Sequence, residues 1–319
     1  MPHLVETMAH VGVAPWHRLG NALPSRQPIE VWAEQAGMDW EILQAPVQYQ
    51  TYTTDASRVL SFEGQKVLYR SDTHAALSVV GSRYQIVQPK TVLEFYRDLT
   101  EAAGYELETA GVLKNGRKLW ALARMGKEAK LKGNDVVRGY FLLATSCDGT
   151  LATTATPTTV RVVCNNTLAM ALNGATHAIR VPHSTTFDPD AVKKQLGIAV
   201  SGWDSFMYRI RLLAERKVDT AESRTFLQKL LGQPQPIPGQ PMVQERAMKR
   251  VQELFEAQGQ GAELTAASGT AWGLLNAVTQ FVDYEKRARS SDHRLDSAWF
   301  GSGAALKDRA LQQALHLVA

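Results

Sequence analysis

The sequence predicts an α+β fold, in which an antiparallel, hairpin-rich sheet packs on helices and an all-helical C-terminal region follows. Three observations lead to this prediction. Residues 40–88 carry short runs of Val, Ile, Tyr and Leu separated by turn residues. Hairpins follow one another without regular βαβ alternation, which argues against a doubly wound sheet. From Ala191 onward, apolar residues recur at helical spacing.

These observations divide the chain into two parts. We expect an α+β module with an N-terminal arm over residues 1–180 and a helical region over residues 181–319. The composition changes beyond residue 174, and the boundary is expected between about residues 175 and 190.

The first half of the chain supplies most of the strand signals. Residues 1–28 have no sustained period and are interpreted as an ordered arm. Pro28 begins a short helix for which Gly37 is the expected stop. Five strand-like segments follow between Trp40 and Gln88, with turns at Glu63-Gly64, Ser71-Asp72 and Gly81-Ser82, and predict an antiparallel meander. Pro89 begins a second helix, which ends at Gly104.

Two hairpins and one helix are predicted in the middle of the chain. Asn115-Gly116 and Asp148-Gly149 are dipeptides that supply the positive φ angles of tight hairpin turns. Thr156 is a natural N-cap and Pro157 suits the first position of a helix, which is predicted to end near Asn173. A strand is the alternative for this segment, because Val160, Val162 and Val163 are β-branched.

The C-terminal part is predicted to be helical throughout, with no sheet of its own. A drifting apolar stripe runs from Ala191 to Leu231. The run PQPIPGQP at residues 234–241 interrupts the pattern, and three further helical segments follow it.

The predicted helix from Pro157 carries the first functional candidate. Its apolar positions share one face, whereas Arg161 and Asn165 lie together on the other. A guanidinium and an amide one turn apart suit a phosphate or a base edge. The side chain of Arg161 has three possible environments: solvent, a nucleic-acid groove, or a buried site with a carboxylate partner. We favour the groove.

Cations nearby in the sequence extend this candidate. Three flank the turn at Asn115-Gly116, and two lie in the connection before the strand at Tyr140. The predicted nucleic-acid-binding residues are Lys114, Arg117, Lys118, Lys130, Lys132, Arg161, Asn165 and Asn166. Trp120 and Tyr140 are candidates either for base stacking or for the core. The alternative for the cations is ordinary solvation of exposed turns.

Composition is ordinary for a globular protein, with 45% hydrophobic and 21% charged residues among 319. No apolar run reaches the length of a membrane span, and the N-terminus lacks the pattern of a secretory signal. Cys147 and Cys164 are the two cysteines, so we expect no disulfide framework and a reducing cytoplasm. The net charge of +4 permits a nucleic-acid partner without requiring one.

Common catalytic and cofactor signatures are missing from the sequence. It contains no P-loop, no GxGxxG, no GxSxG and no histidine or cysteine pattern at zinc spacing. We therefore expect no nucleotide cofactor, no metal and no catalytic residue, and an enzyme is the less favoured interpretation. The alternative is a metal-dependent nuclease or hydrolase with an atypical site built on His17, His177 or His183.

Three segments carry a resemblance to a known family. PWHRLG at residues 15–20, TPTTVRVVCNNTLAMAL at 156–172 and TAWGLLNAVTQFVDYEKRAR at 270–289 resemble the phage/plasmid-like protein family, which contains a domain of unknown function. The resemblance implies a mobile-element origin and action inside a bacterium. It does not supply a reaction. Hairpin sheets packed on a long helix are similar to single-strand annealing recombinases at the level of fold analogy.

Together these observations predict a phage- or plasmid-type protein that binds nucleic acid in the cytoplasm. Single-stranded DNA is the favoured ligand, in annealing or recombination, without a nucleotide cofactor and with homo-oligomerisation left open. The alternatives are the atypical nuclease or hydrolase and a mobile-element protein that binds a host protein.

Overall fold

The computed structural model of the chain describes residues 5–12, 20–52, 56–103, 105–163, 166–172, 175–176, 178–232 and 244–318. They form a mixed α+β structure with antiparallel sheets and with helices concentrated in the C-terminal region, which confirms the predicted fold class.

The strands are β1 (Val5–Val11), β2 (Asn21–Leu23), β3 (Ile42–Tyr52), β4 (Ser57–Arg70), β5 (Ala76–Gly81), β6 (Glu106–Leu113), β7 (Lys118–Lys130), β8 (Val136–Ser146), β9 (Thr153–Arg161), β10 (Asn166–Ala169), β11 (Ala171–Leu172), β12 (Ala175–Thr176) and β13 (Ile179–Val181). The helices are α1 (Ile29–Gln35), α2 (Pro89–Ala103), α3 (Pro189–Ser201), α4 (Trp203–Glu215), α5 (Thr220–Leu231), α6 (Glu245–Glu253), α7 (Ala271–Gln280), α8 (Ser291–Phe300) and α9 (Ser302–Leu315). A 3₁₀ turn spans Lys132–Asn134, and π-helical segments extend α6 and α7 over Leu254–Gln258 and Phe281–Glu285.

The largest sheet has eight strands, with the order β10-β9-β8-β7-β6-β1-β2 and with β13 also paired to β9. Its β6–β7 hairpin turns where the sequence predicts. Lys114 and Asn115 have φ angles of 55° and 57°, and Gly116 has 94°. Asn and Gly tolerate this left-handed conformation better than other residues, so the prediction from Asn115-Gly116 is confirmed.

The second predicted hairpin joins β8 to β9 and is also confirmed. Gly149 has a φ of 73°, and the Asp148 carboxylate accepts a hydrogen bond of 3.0 Å from the backbone N–H of Thr150. A short acidic side chain of this kind fixes a turn by bonding to the backbone two residues on.

The predicted helix from Pro157 to Asn173 is wrong. The segment forms β9 and β10, which are antiparallel neighbours with Arg161 opposite Asn166. β9 reads TTATPTTVR, and its Thr and Val side chains are β-branched, so they favour a pleated strand over a helix. Pro157 lacks the N–H that a strand ladder needs, and it lies between the stretch of β9 that pairs with β13 and the stretch that pairs with β10.

A three-stranded sheet with the order β3-β4-β5 accounts for the predicted meander. Glu63-Gly64 is not a turn, as the sequence suggested, because β4 continues through it for 14 residues. The pairing with β3 shifts there, from Pro46 opposite Lys66 to Val47 opposite Phe62, which is a bulge accommodated by Gly64 at a φ of 93°. The last strand-like segment, residues 83–88, is not a strand.

The helix predictions from Pro28 and Pro89 are confirmed by α1 and α2, and Gly104, the predicted end of the second helix, lies outside the described residues. The prediction that residues 190–319 are helical is also confirmed, since the described part of that region contains α3 to α9 and no strand. Its strand-like pairing is confined to isolated bridges such as that between Lys217 and Thr270. None of the described helices combines the length and apolarity needed to cross a membrane.

The chain forms two compact units. Unit 1 comprises Met1–Met125, Phe141–Ala155 and Ala178–Leu196, and unit 2 comprises Gly126–Tyr140, Thr156–His177 and Gly197–Ala319. The core of unit 1 includes buried Tyr96, whose hydroxyl donates to the Ala121 carbonyl and accepts from the Leu143 N–H. The core of unit 2 is built around α7, all ten residues of which are buried. The split of the chain near residue 180 stays a prediction.

Candidate nucleic-acid interface

The predicted cations at the β6–β7 turn differ in exposure. Arg117 is exposed, Lys114 is half-buried and Lys118 is buried. The turn belongs to unit 1. Arg117 is therefore the residue of this group whose guanidinium is best placed to reach a phosphate.

The other two predicted lysines belong to unit 2 and are exposed. Lys130 ends β7. Lys132 opens the 3₁₀ turn and forms an ion pair of 3.1 Å with Glu215, in which both side chains are more than half exposed. Exposed pairs contribute roughly 0–1 kcal/mol, so this one leaves Lys132 available to another anion.

Arg161 is placed quite differently from the expected groove, because its side chain is 2% exposed at the end of β9. Its guanidinium binds the carboxylate of Asp135, which is fully buried, with Nη2 to Oδ2 at 2.8 Å. Nη1 and Nη2 also donate to the carbonyls of Gln260 and Gly261 at 3.2 and 2.9 Å. The groove hypothesis for Arg161 is wrong, and the alternative of a buried carboxylate partner is confirmed.

Two further residues, Trp272 and Gly261, lie beside the pair of Asp135 and Arg161. The indole N–H of Trp272 donates to Asp135 Oδ2 at 2.9 Å, and the Arg161 guanidinium lies 5.9 Å from the centre of the same indole ring. Gly261 has a φ of 70°, and a side chain there would come within 3.1 Å of Arg161 Nη2. The pair is thus enclosed by an aromatic ring and by backbone that only glycine allows so close.

A second buried ion pair lies in unit 2. Lys307 donates to Asp283 Oδ1 at 2.7 Å and to the Thr167 hydroxyl at 2.8 Å, and the Thr167 N–H donates to Asp283 Oδ2 at 2.9 Å. Burial raises the pKa of Asp283, and the charge of Lys307 opposes that rise. We name the two ion pairs, together with the Thr167 and Trp272 side chains that form hydrogen bonds to them, the buried ion-pair network. Its members are Asp135, Arg161, Thr167, Trp272, Asp283 and Lys307.

The two predicted asparagines do not form an exposed pair. Asn165 lies outside the described residues. Asn166 is buried in β10, and its amide donates to the Asn276 carbonyl on α7 at 3.2 Å. Trp120 and Tyr140 are buried as well, so they are core residues and not stacking surfaces.

The candidate catalytic groups give no site among the described residues. His17 and His177 lie outside them, and the described residues contain no group of acidic, histidine or cysteine side chains arranged for a metal. His183 is buried and stacked on Tyr84, with Nδ1 3.0 Å from the Gln85 carbonyl and Nε2 3.1 Å from the Leu151 carbonyl. Burial raises the pKa of the Cys147 thiol to about 12, which keeps it un-ionised and poorly nucleophilic.

Among the described residues, large exposed apolar side chains cluster on the β3–β4 hairpin of unit 1. We name residues 47–52 and 57–62 the distal arm; residues 53–55 lie outside the described part of the chain. The aromatic side chains of the distal arm are 49% (Tyr49), 76% (Tyr52) and 50% (Phe62) exposed. β5 pairs with β4 only at Gln65–Tyr69, so it does not reach the distal arm.

The distal arm has two distinct faces. Residues directly opposite each other in an antiparallel pair share a face, so Val47, Tyr49 and Thr51 lie with Phe62, Leu60 and Arg58. This apolar face combines two aromatic rings with one guanidinium. The other face carries Gln48, Gln50, Tyr52, Ser57, Val59 and Ser61.

Sequence reasoning predicted these strands but missed their exposure. Alternation of Val47, Tyr49 and Thr51 with Gln48 and Gln50 is typical of a strand with one buried face. Strand length is the one signal that could have indicated this exposure. β4 has 14 residues and β5 has 6, so most of the β3–β4 hairpin has no third strand beside it.

One family model matches the chain. It is described as a domain of unknown function (DUF932) and covers residues 76–299, well over half of the chain. The match contains Asp135, Arg161, Trp272 and Asp283, whereas it begins after the distal arm. No curated protein and no solved structure matches the chain.

Proposed function

This chain belongs to the DUF932 family, and we propose that it is a phage- or plasmid-type protein that binds single-stranded DNA without a nucleotide cofactor. The distal arm carries the proposal, because its apolar face presents two exposed aromatic rings and an arginine. The mobile-element origin and the role in annealing or recombination rest on the sequence resemblance and on fold analogy.

Stacking on the apolar face is the main expected source of affinity. Tyr49 is opposite Leu60, and Val47 is opposite Phe62, so the two aromatic rings are diagonal neighbours on one face. Side chains in this relation are roughly 7–8 Å apart at the backbone, which suits two bases of a flexible strand. Base stacking on an aromatic side chain is worth about 1–3 kcal/mol per base and tolerates any sequence.

Single strands are favoured over duplex DNA for a physical reason. A ring can stack on a base only when the base face is open, and in a duplex that face is covered by the neighbouring base pairs. Arg58 lies on the same face, opposite Thr51, and is exposed. Its guanidinium can neutralise one phosphate beside the stacked bases.

The test measures affinity for a fluorescently labelled oligothymidine by anisotropy. We expect Tyr49→Ala and Phe62→Ala each to weaken binding by about 1–3 kcal/mol, or roughly 5- to 150-fold, because each removes one stacking surface. Tyr208→Ala is the matched control, since Tyr208 on α4 is 62% exposed but belongs to unit 2. Affinities equal to wild type for both arm variants would refute the proposal.

A salt series separates the charge from the rings. Arg58→Ala should reduce the slope of log affinity against log salt by roughly 0.7, the value for one phosphate contact on a single strand. Tyr49→Ala should lower affinity without changing this slope. Arg211→Ala, which removes an exposed arginine from α4 in unit 2, is the control for net charge.

A further inference from the structure

The outer edge of β3 is uncharged, and beyond Pro46 it pairs with no described strand. β4 is the middle strand of its sheet, and no strand among the described residues pairs with the other side of β3. The strand reads ILQAPVQYQTY and contains no Asp, Glu, Lys or Arg. Edge strands of soluble proteins are usually protected from pairing with other chains by charges, prolines or bulges. Beyond Pro46, β3 has none of these.

The other edge of the hairpin differs. β5 covers Gln65–Tyr69 of β4, and the Ser82 N–H after β5 donates to the carbonyl of Gly64 at the bulge. The remaining outer edge carries Arg58 and Glu63 next to that bulge. These are the usual protective features of an edge. The distal half of β3, and not β4, is therefore the edge that lacks these protective features.

We propose that β3 of one copy pairs antiparallel with β3 of a second copy about a twofold axis. Twofold antiparallel pairing of identical strands sets each residue opposite one at the same distance on the other side of the central residue, so like charges spread along the strand would oppose one another. The eleven uncharged residues of β3 are suited to this arrangement. The open backbone N–H and C=O groups of both edges then satisfy one another.

The side-chain pattern fixes the register. Successive residues alternate faces. The apolar faces of the two copies therefore become continuous only if Val47, Tyr49 and Thr51 of one copy lie opposite residues of the same set in the other copy. A register centred on Tyr49 sets Tyr49 opposite its counterpart, Val47 opposite Thr51 and Gln48 opposite Gln50. It is preferred because it forms an aromatic cross-strand pair and leaves Pro46 at the end of the paired segment.

This pairing does not depend on DNA binding, although it would join the two apolar faces into one four-stranded surface. The experiment is therefore sedimentation velocity of the full chain without DNA, over a range of protein concentrations. The wild-type chain should show a concentration-dependent dimer. Gln48→Lys combined with Gln50→Lys opposes like charges at two symmetric positions and should weaken dimerisation roughly tenfold.

Charge reversal at one position tests the register. Gln48→Lys combined with Gln50→Glu places a lysine opposite a glutamate in the register centred on Tyr49, so the dimer should be retained. Ser61→Lys adds charge on β4, opposite Gln48 within the same copy and away from the β3 edge, and should also leave the dimer intact. Thermal melts of all variants check folding, which exposed substitutions should leave unchanged.

The proposal is overturned if the wild-type chain stays monomeric at every concentration. It is also overturned if the two double variants behave alike, because the pairing of residue 48 with residue 50 would then be wrong. Retention of the dimer by both would indicate another interface, and loss by both would indicate another register. A wild-type chain that stays monomeric would leave a foreign strand as the partner of this edge.

Discussion

The buried ion-pair network of unit 2 and the distal arm of unit 1 both reverse the usual distribution of side chains. The network buries charges, and the arm exposes aromatic rings. In the network, Arg161 and Lys307 each have several partners within hydrogen-bonding distance. On the arm, Tyr49 and Phe62 are about half exposed within their own copy. The comparison indicates that a side chain in an unusual environment has a structural role when its contacts within the fold are complete. It is a candidate for binding when those contacts are missing.

Completeness matters because burial of charge is unfavourable until it is compensated. A buried pair is close to neutral for stability when its geometry is good, but removal of one partner leaves an isolated charge in a medium of low dielectric. Exposed aromatic rings have no such dependence on a neighbour. Substitutions in the two regions should therefore have opposite profiles, with large effects on stability in the network and small ones on the arm.

The largest effect is expected for Arg161→Ala. The change leaves the Asp135 carboxylate buried with the Trp272 N–H as its remaining side-chain donor, and it also removes the donors to the carbonyls of Gln260 and Gly261. We expect a loss of about 4–5 kcal/mol in the free energy of unfolding, measured by urea denaturation.

The control for Arg161→Ala is Lys132→Ala, which breaks an exposed ion pair of the same unit and should cost no more than about 1 kcal/mol. If Arg161→Ala loses as little free energy of unfolding as the control, the proposed contrast between the network and the arm is wrong. Reduced DNA affinity with normal stability would contradict the assignment of Arg161 to the scaffold.

A smaller, pH-dependent effect is expected for Lys307→Met. The change removes the charge that opposes the raised pKa of Asp283, so that pKa should rise further. At neutral pH the folded state must then either bury an unpaired carboxylate or hold a proton that the unfolded state has released. We expect a loss of about 3 kcal/mol relative to wild type.

Acid should reduce this loss. At a pH below the range in which Asp283 titrates in both states, its carboxyl group is neutral in the folded and unfolded chain, and no charge is buried. As the pH rises through that range the unfolded state binds fewer protons than the folded state, so stability falls. Urea denaturation of wild type and variant at acidic and neutral pH measures the difference. A deficit that is constant with pH would contradict the assignment to Asp283.

The sequence predicts element types best where one signal dominates. Asn115-Gly116 and Asp148-Gly149 fix their turns through backbone conformations that few residues adopt. α1 begins directly after Pro28, its N-cap, and α2 begins at Pro89, as expected. The segment after Pro157 carries two conflicting signals. Its proline favours a helix start, but its Thr and Val residues favour a strand, and pairing with β10 and β13 decides for the strand.

The environments of single residues could not be predicted in the same way. The groove prediction for Arg161 depends on the predicted helix from Pro157, which the structure does not contain. The partners of Arg161, Asp135 and Gly261, are far from it in sequence. No local pattern encodes such long-range contacts. The exposure of Tyr49 was missed for the converse reason, since its alternating neighbours are typical of a buried face and only tertiary structure shows that β5 stops short of it.

The smallest effect, and the sharpest contrast with Arg161, is expected for the triple variant Tyr49→Thr, Leu60→Thr and Phe62→Thr. These side chains are 41–50% exposed, so their replacement loses only a modest part of the apolar burial that a core residue would provide. Threonine also keeps the β-branched preference for a strand. The free energy of unfolding of the monomer should change by no more than about 0.5–1 kcal/mol, within the usual range of surface substitutions.

The same triple variant should lose oligothymidine affinity, because both stacking rings are gone, while dimerisation through the β3 backbone weakens less. Leu119→Thr and Val112→Thr, a buried cross-strand pair on β7 and β6 of the same unit, serve as the control for apolar-to-polar change and should be severely destabilising. A loss of stability in the arm variant as large as in this control would mean that the apolar face is part of a core, and that the arm, like Arg161, belongs to the scaffold.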